Sequence, residues 1–208
     1  MSVMQTPVFS IQYVGNILFY YLINQYPKIY IEAKEYYVKQ TFRNRTIILT
    51  ANGVMPLIVP VVHKSSKEII SQKEISYKEK WHKKHYTAIV SAYKNAPYFD
   101  YYAEELLDYL LYPKEHSLFN MNLFIIKKVC GILNIQTDIC ITEEYRKDYV
   151  QDYRNYFDAD LNLPSALNIP YLQVFSDRFP FQKNLCVLDL IFNLGNDAKA
   201  YISGEFKL

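Results

Sequence analysis

The sequence predicts an α/β fold: a single domain over residues 1–208, with a mixed β-sheet and a helical block in the middle of the chain. Three observations carry this. Short β-branched runs separated by turn residues fill the first third, and apolar residues recur at helical spacing three times between residues 79 and 134. The third is length, since 208 residues suffice for one well-buried core and are few for two. Composition agrees, because a 16% aromatic share and 21 tyrosines against five glycines exclude disordered and low-complexity classes.

Taken in order, a short apolar strand is expected near residues 8–12. A helix follows over 15–25, with Ile17, Tyr20 and Tyr21 at helical spacing and Pro27 as its stop. The runs KIYIEA (28–33), TIILTANG (46–53) and MPLIVPVV (55–62) read as strands, and Asn52-Gly53 between the last two is the strongest hairpin signal. Residues 68–77 can supply a further strand. Pro97 and Pro113 divide the helical block into three, and TDICIT (137–142) returns to strand-like patterning. Residues 143–170 hold no sustained period and contain Pro164 and Pro170, so they read as an irregular excursion able to cover a site. No internal repeat is visible.

The most informative stretch is NLCVLDLIFNLG, residues 184–195. On a helical period Leu185, Leu188, Ile191 and Phe192 cover most of its circumference, while Asp189 and Asn193 share one stripe. Such a helix belongs in the interior, and Gly195 ends it. An unpartnered buried amide costs roughly 1 to 3 kcal/mol and a buried carboxylate more, so cations or donors from elsewhere must meet this stripe.

Two other helices carry the same device. In residues 79–95, Trp81, His85, Ala88, Ile89 and Ala92 share an inward face, opposite Lys80, Lys84, Thr87, Ser91 and Lys94. His85 is then either a core histidine bonded to a backbone carbonyl or a catalytic or ligand-binding group. In residues 117–134, Asn122 lies in line with Leu118, Ile125, Val129 and Ile132, and a structural helix-to-helix bond is expected of it. Lys39, Arg43 and Arg45 bring three cations into seven residues, with Arg43 and Arg45 on one face if 43–49 is extended. Paired guanidiniums suit a carboxylate or phosphate, which could be a ligand or Asp189 itself.

Several functions are not expected. A net charge of +2 gives no global field for nucleic acid, and the basic run 78–85 reads as a solvated helix face. No apolar run suffices to span a bilayer, and the amino terminus lacks a basic leader region, so a cytoplasmic protein is expected. Cys130, Cys140 and Cys186 show no metal-ligand spacing; His82 and His85 lack a carboxylate ligand beside them, so no metal site is predicted. The chain contains no phosphate-binding glycine loop, no HExxH and no GxSxG, and the cofactor is left open.

The order of QTFRNR (40–45), NG with IVPV (52–61), W..KHY (81–86), AY....PYF (92–99), Asn122, YLQVF (171–175) and NLCVLDLIFNLG resembles the WbqC-like family. It looks like the compact form common in Bacteroidetes genomes. The resemblance implies a role in O-antigen or other surface-polysaccharide and cell-envelope biosynthesis, with glycyl or acyl transfer to an amino sugar as the suggested reaction. The family-typical positions fall on Arg43, Asn44, Arg45, Trp81, Lys84, His85, Tyr171, Gln173, Asp189 and Asn193. Two departures stand out: IQYVGN replaces a proline-bearing QPxYxPW-like segment, and Cys186 stands where relatives often have serine.

These readings combine into one expectation, a transferase acting on a small activated sugar or acyl donor. His85 is the general base and Asp189 orients His85 or Arg43, while Arg43, Asn44, Arg45, Lys84, Gln173 and Asn193 bind substrate. The alternative is a non-catalytic binding or assembly protein whose buried polar network is structural.

Overall fold

Four of the apolar runs lie parallel and edge to edge. In the computed structural model, which describes residues 5–65, 67–158 and 163–207, these are β1 (Val8–Ser10), β2 (Lys28–Glu32), β5 (Asp138–Ile141) and β6 (Asp152–Tyr153), in the order β5-β2-β1-β6. Register is set by Val8 opposite Tyr30 and Asp152, and by Lys28 opposite Asp138. Parallel neighbours need a crossover, and helix α1 (Ile17–Ile23) supplies it between β1 and β2. Asn16 caps α1 by accepting from the Phe19 N–H at 2.9 Å.

The antiparallel component of the expected mixed sheet is a separate ribbon, β3 (Arg45–Thr50) paired with β4 (Gly53–Ile58). Gly53, at φ +100°, takes the left-handed position that closes this hairpin. The helical block follows as α2 (Trp81–Tyr93), α3 (Phe99–Leu111) and α4 (Leu118–Ile132), broken at the two prolines. On α2 the inward face is as expected, with Trp81, His85, Ile89 and Ala92 all buried.

Two expectations change. Residues 68–77 form no ladder; Ile70–Gln72 is a 3-10 turn, flanked by isolated bridges from Ile69 to Tyr36, Ile75 to Val61 and Glu74 to Ser117. Each pairs with a different segment, so the stretch acts as a strap. The excursion 143–170 is irregular but delivers β6 to the sheet edge; its residues 159–162 lie outside the described set.

Helix α5 (Val187–Leu194) is the buried helix anticipated from 184–195, with only Leu194 outside its buried set. Its lead-in is held on two sides: Ile17 N–H donates to the Leu185 carbonyl at 3.1 Å, Val187 N–H to Gly15 at 3.1 Å, and Cys186 N–H to Ile47 at 2.8 Å. Helix α6 (Asp197–Ser203) follows and packs on α1 and α5. One continuous hydrophobic cluster runs from Phe9 to Ile202. Among the described residues no helix is long and apolar enough to cross a membrane.

Candidate functional site

In open parallel sheets the carboxyl ends of the strands commonly form the ligand crevice. Here they are filled by the protein's own charges. Glu32, at the end of β2, accepts from Thr142 Oγ1 at 2.6 Å, from the Lys34 N–H at 2.8 Å and from Arg154 Nη1 at 3.0 Å. Arg154 in turn binds Asp152 and lies over the Tyr145 and Tyr149 rings. Arg43 adjoins this cluster, donating Nη2 to the Arg154 carbonyl at 3.0 Å.

Arg43 and Arg45 do not share a face. The chain turns at 41–44, with Asn44 N–H bonded to the Thr41 carbonyl, and β3 begins only at Arg45, so strand alternation never reaches Arg43. Arg43 points inward and grips Glu35 with two hydrogen bonds of 2.8 and 2.7 Å. Its anion is Glu35, not Asp189. The bond expected of Asn122 runs to this turn and not to another helix: its Nδ2 donates to the Arg43 carbonyl at 2.8 Å.

Arg45 turns the other way, into a cleft of about 330 Å³ between the 37–45 segment, the end of β4 and the 61–73 strap. Its guanidinium stacks on Phe42 at 5.7 Å, and its Nε is shielded from solvent with no hydrogen-bond partner. Lys39 and His63 line the same cleft and, like Arg45, have no carboxylate partner among the described residues. Lys73 is there too, pinned by Glu68 at 2.6 Å and lying over Tyr37 at 5.1 Å. Asn44 forms part of the wall; it clasps Val59, accepting on its carbonyl at 2.8 Å and donating Nδ2 at 2.9 Å. Lys73 offsets Glu68, and Lys39 and Arg45 remain without a carboxylate among the described residues, so the cleft is electropositive.

His85 and Asp189, expected to converge, have separate partners. His85 Nδ1 lies 2.9 Å from the Tyr13 hydroxyl, which is 3.2 Å from that of Tyr109; the Ile58 carbonyl is near the ring and favours its protonated form. Burial lowers its pKa to about 4, so it is neutral at pH 7. Asp189 accepts from the Tyr171 hydroxyl at 2.6 Å and from Gln173 Nε2 at 2.9 Å. Burial raises its pKa to about 6, opposed by those donors and by the nearby Tyr93 hydroxyl. The stripe on α5 is therefore met by neutral donors, not by a cation.

Gln173 and Asn193 line a second, shallow depression beside Arg178, while Asn193 Nδ2 also bonds the Asp189 carbonyl at 2.7 Å. Lys84 lies on the solvated face of α2, in an exposed pair with Glu79 at 2.8 Å. The Cys186 thiol is buried and pushed up to about 12 by desolvation, which suits packing. His63 and Lys73 are cleft residues that sequence reasoning missed. Neither shows a motif, and only the strap's fold-back brings them to Arg45.

Among the described residues no group of three or more His, Cys, Asp or Glu side chains is placed to hold a metal ion. Residues 12–160 match the WbqC-like protein family, a span that contains the whole cleft and helices α1 to α4. The chain is also similar to the uncharacterized protein Rv1507c of Mycobacterium tuberculosis, 23% identical over 192 residues that cover 80% of this chain and 83% of that one. No solved structure matches. With the match extending over most of its length, the chain belongs to the WbqC-like protein family.

Proposed function

We propose that the protein is a cytoplasmic transferase of surface-polysaccharide or cell-envelope biosynthesis, and that it holds an anionic activated donor in the Arg45 cleft. The observation that carries this reading is the pair of uncompensated cations, Arg45 and Lys39, with the His63 imidazole beside them, around a cavity of small-molecule size. In glycyl or acyl transfer to an amino sugar, the acceptor amine attacks the donor's activated carbonyl. A C–N bond forms, the bond to the leaving group breaks, and the amine's proton passes to a base. Arg45 and Lys39 would hold the negative charge on donor and leaving group, and the His63 imidazole in the cleft is the assigned base. Asn44 shapes the wall. His85, through the Ile58 carbonyl, and Asp189, through Tyr171 and Gln173, are positioning residues in this scheme.

A thermal-shift screen against nucleotide sugars, acyl-CoAs, sugar phosphates and glycine with ATP tests the proposal. A ligand at about a hundred times its Kd adds about 2.7 kcal/mol, a shift of roughly 5 to 10 °C for a chain this long. The shift should vanish in Arg45→Ala; silence across the panel, or a shift that Arg45→Ala retains, would refute an anion site here. The second reading, a non-catalytic binding protein, is favoured by the internal hydrogen bonds that occupy both His85 and Asp189. It predicts ligand binding with no turnover under any donor and acceptor pairing.

A further inference from the structure

A different cleft, of about 420 Å³, opens where α3 and α4 meet the chain at Tyr77. Its walls are aromatic. Tyr77 donates its hydroxyl to the Glu115 carbonyl at 2.7 Å, and the Tyr109 hydroxyl is engaged with Tyr13 at 3.2 Å. Both hydroxyls are therefore engaged within the protein. At the rim, Tyr112 is 71% exposed and Phe124 is 51% exposed, a placement that does little for the core and marks a surface made for contact.

The polar groups around these rings are two carboxylates, the Asn120 amide and the Lys114 ammonium, and they are partly uncommitted. Asp108 places Oδ1 2.9 Å from Lys128 Nζ, and Glu115 uses Oε1 to accept from the Ser117 N–H at 2.8 Å. Asp108 Oδ2, Glu115 Oε2 and the Asn120 amide have no partner among the described residues. Lys114 lines the cleft as well and Asp108 is paired with Lys128, so the lining carries both signs; its two carboxylates can only accept and call for a ligand rich in O–H or N–H donors. Aromatic faces call for C–H surface. A pyranose ring has both, with axial C–H groups on its faces and hydroxyls around its edge.

From this lining we propose that the α3–α4 cleft binds an uncharged or amino-substituted hexopyranose. Its chemistry complements the Arg45 cleft, which selects anions. The two are linked through Tyr109, Tyr13, His85 and the Ile58 carbonyl, since Tyr109 lines one cleft and Ile58 the other. That the bound sugar is the acceptor rests on the transferase reading above; that a sugar binds does not.

Saturation-transfer-difference NMR of the intact protein with glucose, glucosamine and N-acetylglucosamine tests the proposal. Transfer to the ring protons of at least one sugar is expected, with binding weakened roughly three- to tenfold in Tyr112→Ala and in Phe124→Ala. Both positions are exposed enough for the variants to fold, which a melting curve verifies. Arg45→Ala should leave the sugar signal intact. No transfer from any of the three sugars would overturn the proposal, as would transfer undiminished in both rim variants. A change of oligomeric mass in those variants would also overturn it, by making the rim a protein interface. If the sugars fail while the anion-induced thermal shift persists, only this site falls; if the sugars bind and no anion does, the donor reading falls instead.

Discussion

Arg43 and Glu35 face each other through two parallel hydrogen bonds, Nε to Oε1 at 2.8 Å and Nη2 to Oε2 at 2.7 Å, in a position where the arginine is 1% exposed. Removing Arg43 strands the Glu35 carboxylate in the interior, since Arg43 supplies both of its side-chain hydrogen bonds. Arg43→Ala should destabilise the protein by about 3 to 5 kcal/mol, and Glu35→Ala, which removes two of the hydrogen bonds that Arg43 donates, should destabilise it as well. The double variant should lose clearly less than the sum, because the second deletion removes the stranded charge. Urea unfolding measures all three; additive losses, or single losses under about 1 kcal/mol, would show that the pair is not coupled in this way.

Asp189 and His85 oppose each other in acid. Asp189 carries a folded pKa of about 6, above its unfolded value, so the folded state takes up its proton first and stability rises as pH falls through about 6 towards 4. His85 carries a folded pKa of about 4, below its unfolded value, so stability is full above pH 6.5 and is lost as pH falls towards 4. Each effect is on the order of 2 to 3 kcal/mol. They nearly cancel in the native protein. Asp189→Asn should therefore melt more steeply with acid between pH 6 and 4, and His85→Gln should gain stability over the same interval, relative to their values at pH 7.5. Parallel profiles for the two variants would refute the opposition.

Loss of binding and loss of stability should separate at the Arg45 cleft. Arg45 and Lys39 have no carboxylate partner among the described residues, so Arg45→Ala and Lys39→Ala should change stability by no more than about 0.5 to 1 kcal/mol while weakening anion binding. Lys84→Ala should alter neither, because its pair with Glu79 has both side chains about 70% exposed and is screened by water. Calorimetric titration with a sugar phosphate ranks the three; a Lys84 effect equal to that of Arg45 would move the anion site onto α2.

Much of this architecture was legible in residue order. The β-branched runs, the proline breaks and the inward face of α2 each rest on a local period that tertiary packing reinforced, and α5 was readable because its apolar residues leave no solvent face. The polar partners were not legible. Asp189 needed donors, and the sequence could not say that Tyr171 and Gln173, rather than Arg43, would supply them. Arg43 and Arg45 diverge because of one turn at 41–44, a feature with no glycine or proline to announce it. His63 and Lys73 reach the cleft through a strap held by isolated bridges, pairings that no local pattern encodes.

The end of α5 is fixed by a residue that cannot carry a side chain. Gly195 has φ +56° and ψ −122°, and an added Cβ would fall 2.5 Å from Tyr98 Cδ1 and 2.7 Å from its Cγ. These atoms lie at the root of the ring, and the Tyr98 N–H is tied to the Phe192 carbonyl at 3.0 Å, so the tyrosine cannot simply swing aside. Gly195→Ala should cost about 2 to 4 kcal/mol, part backbone strain and part collision. Truncating the ring separates the two: in a Tyr98→Ser background the same glycine substitution should cost only the strain, about 1 to 2 kcal/mol. An equal cost in both backgrounds, read from denaturant midpoints, would mean that backbone conformation alone holds this junction and that Tyr98 plays no part in setting the end of the Asp189 helix.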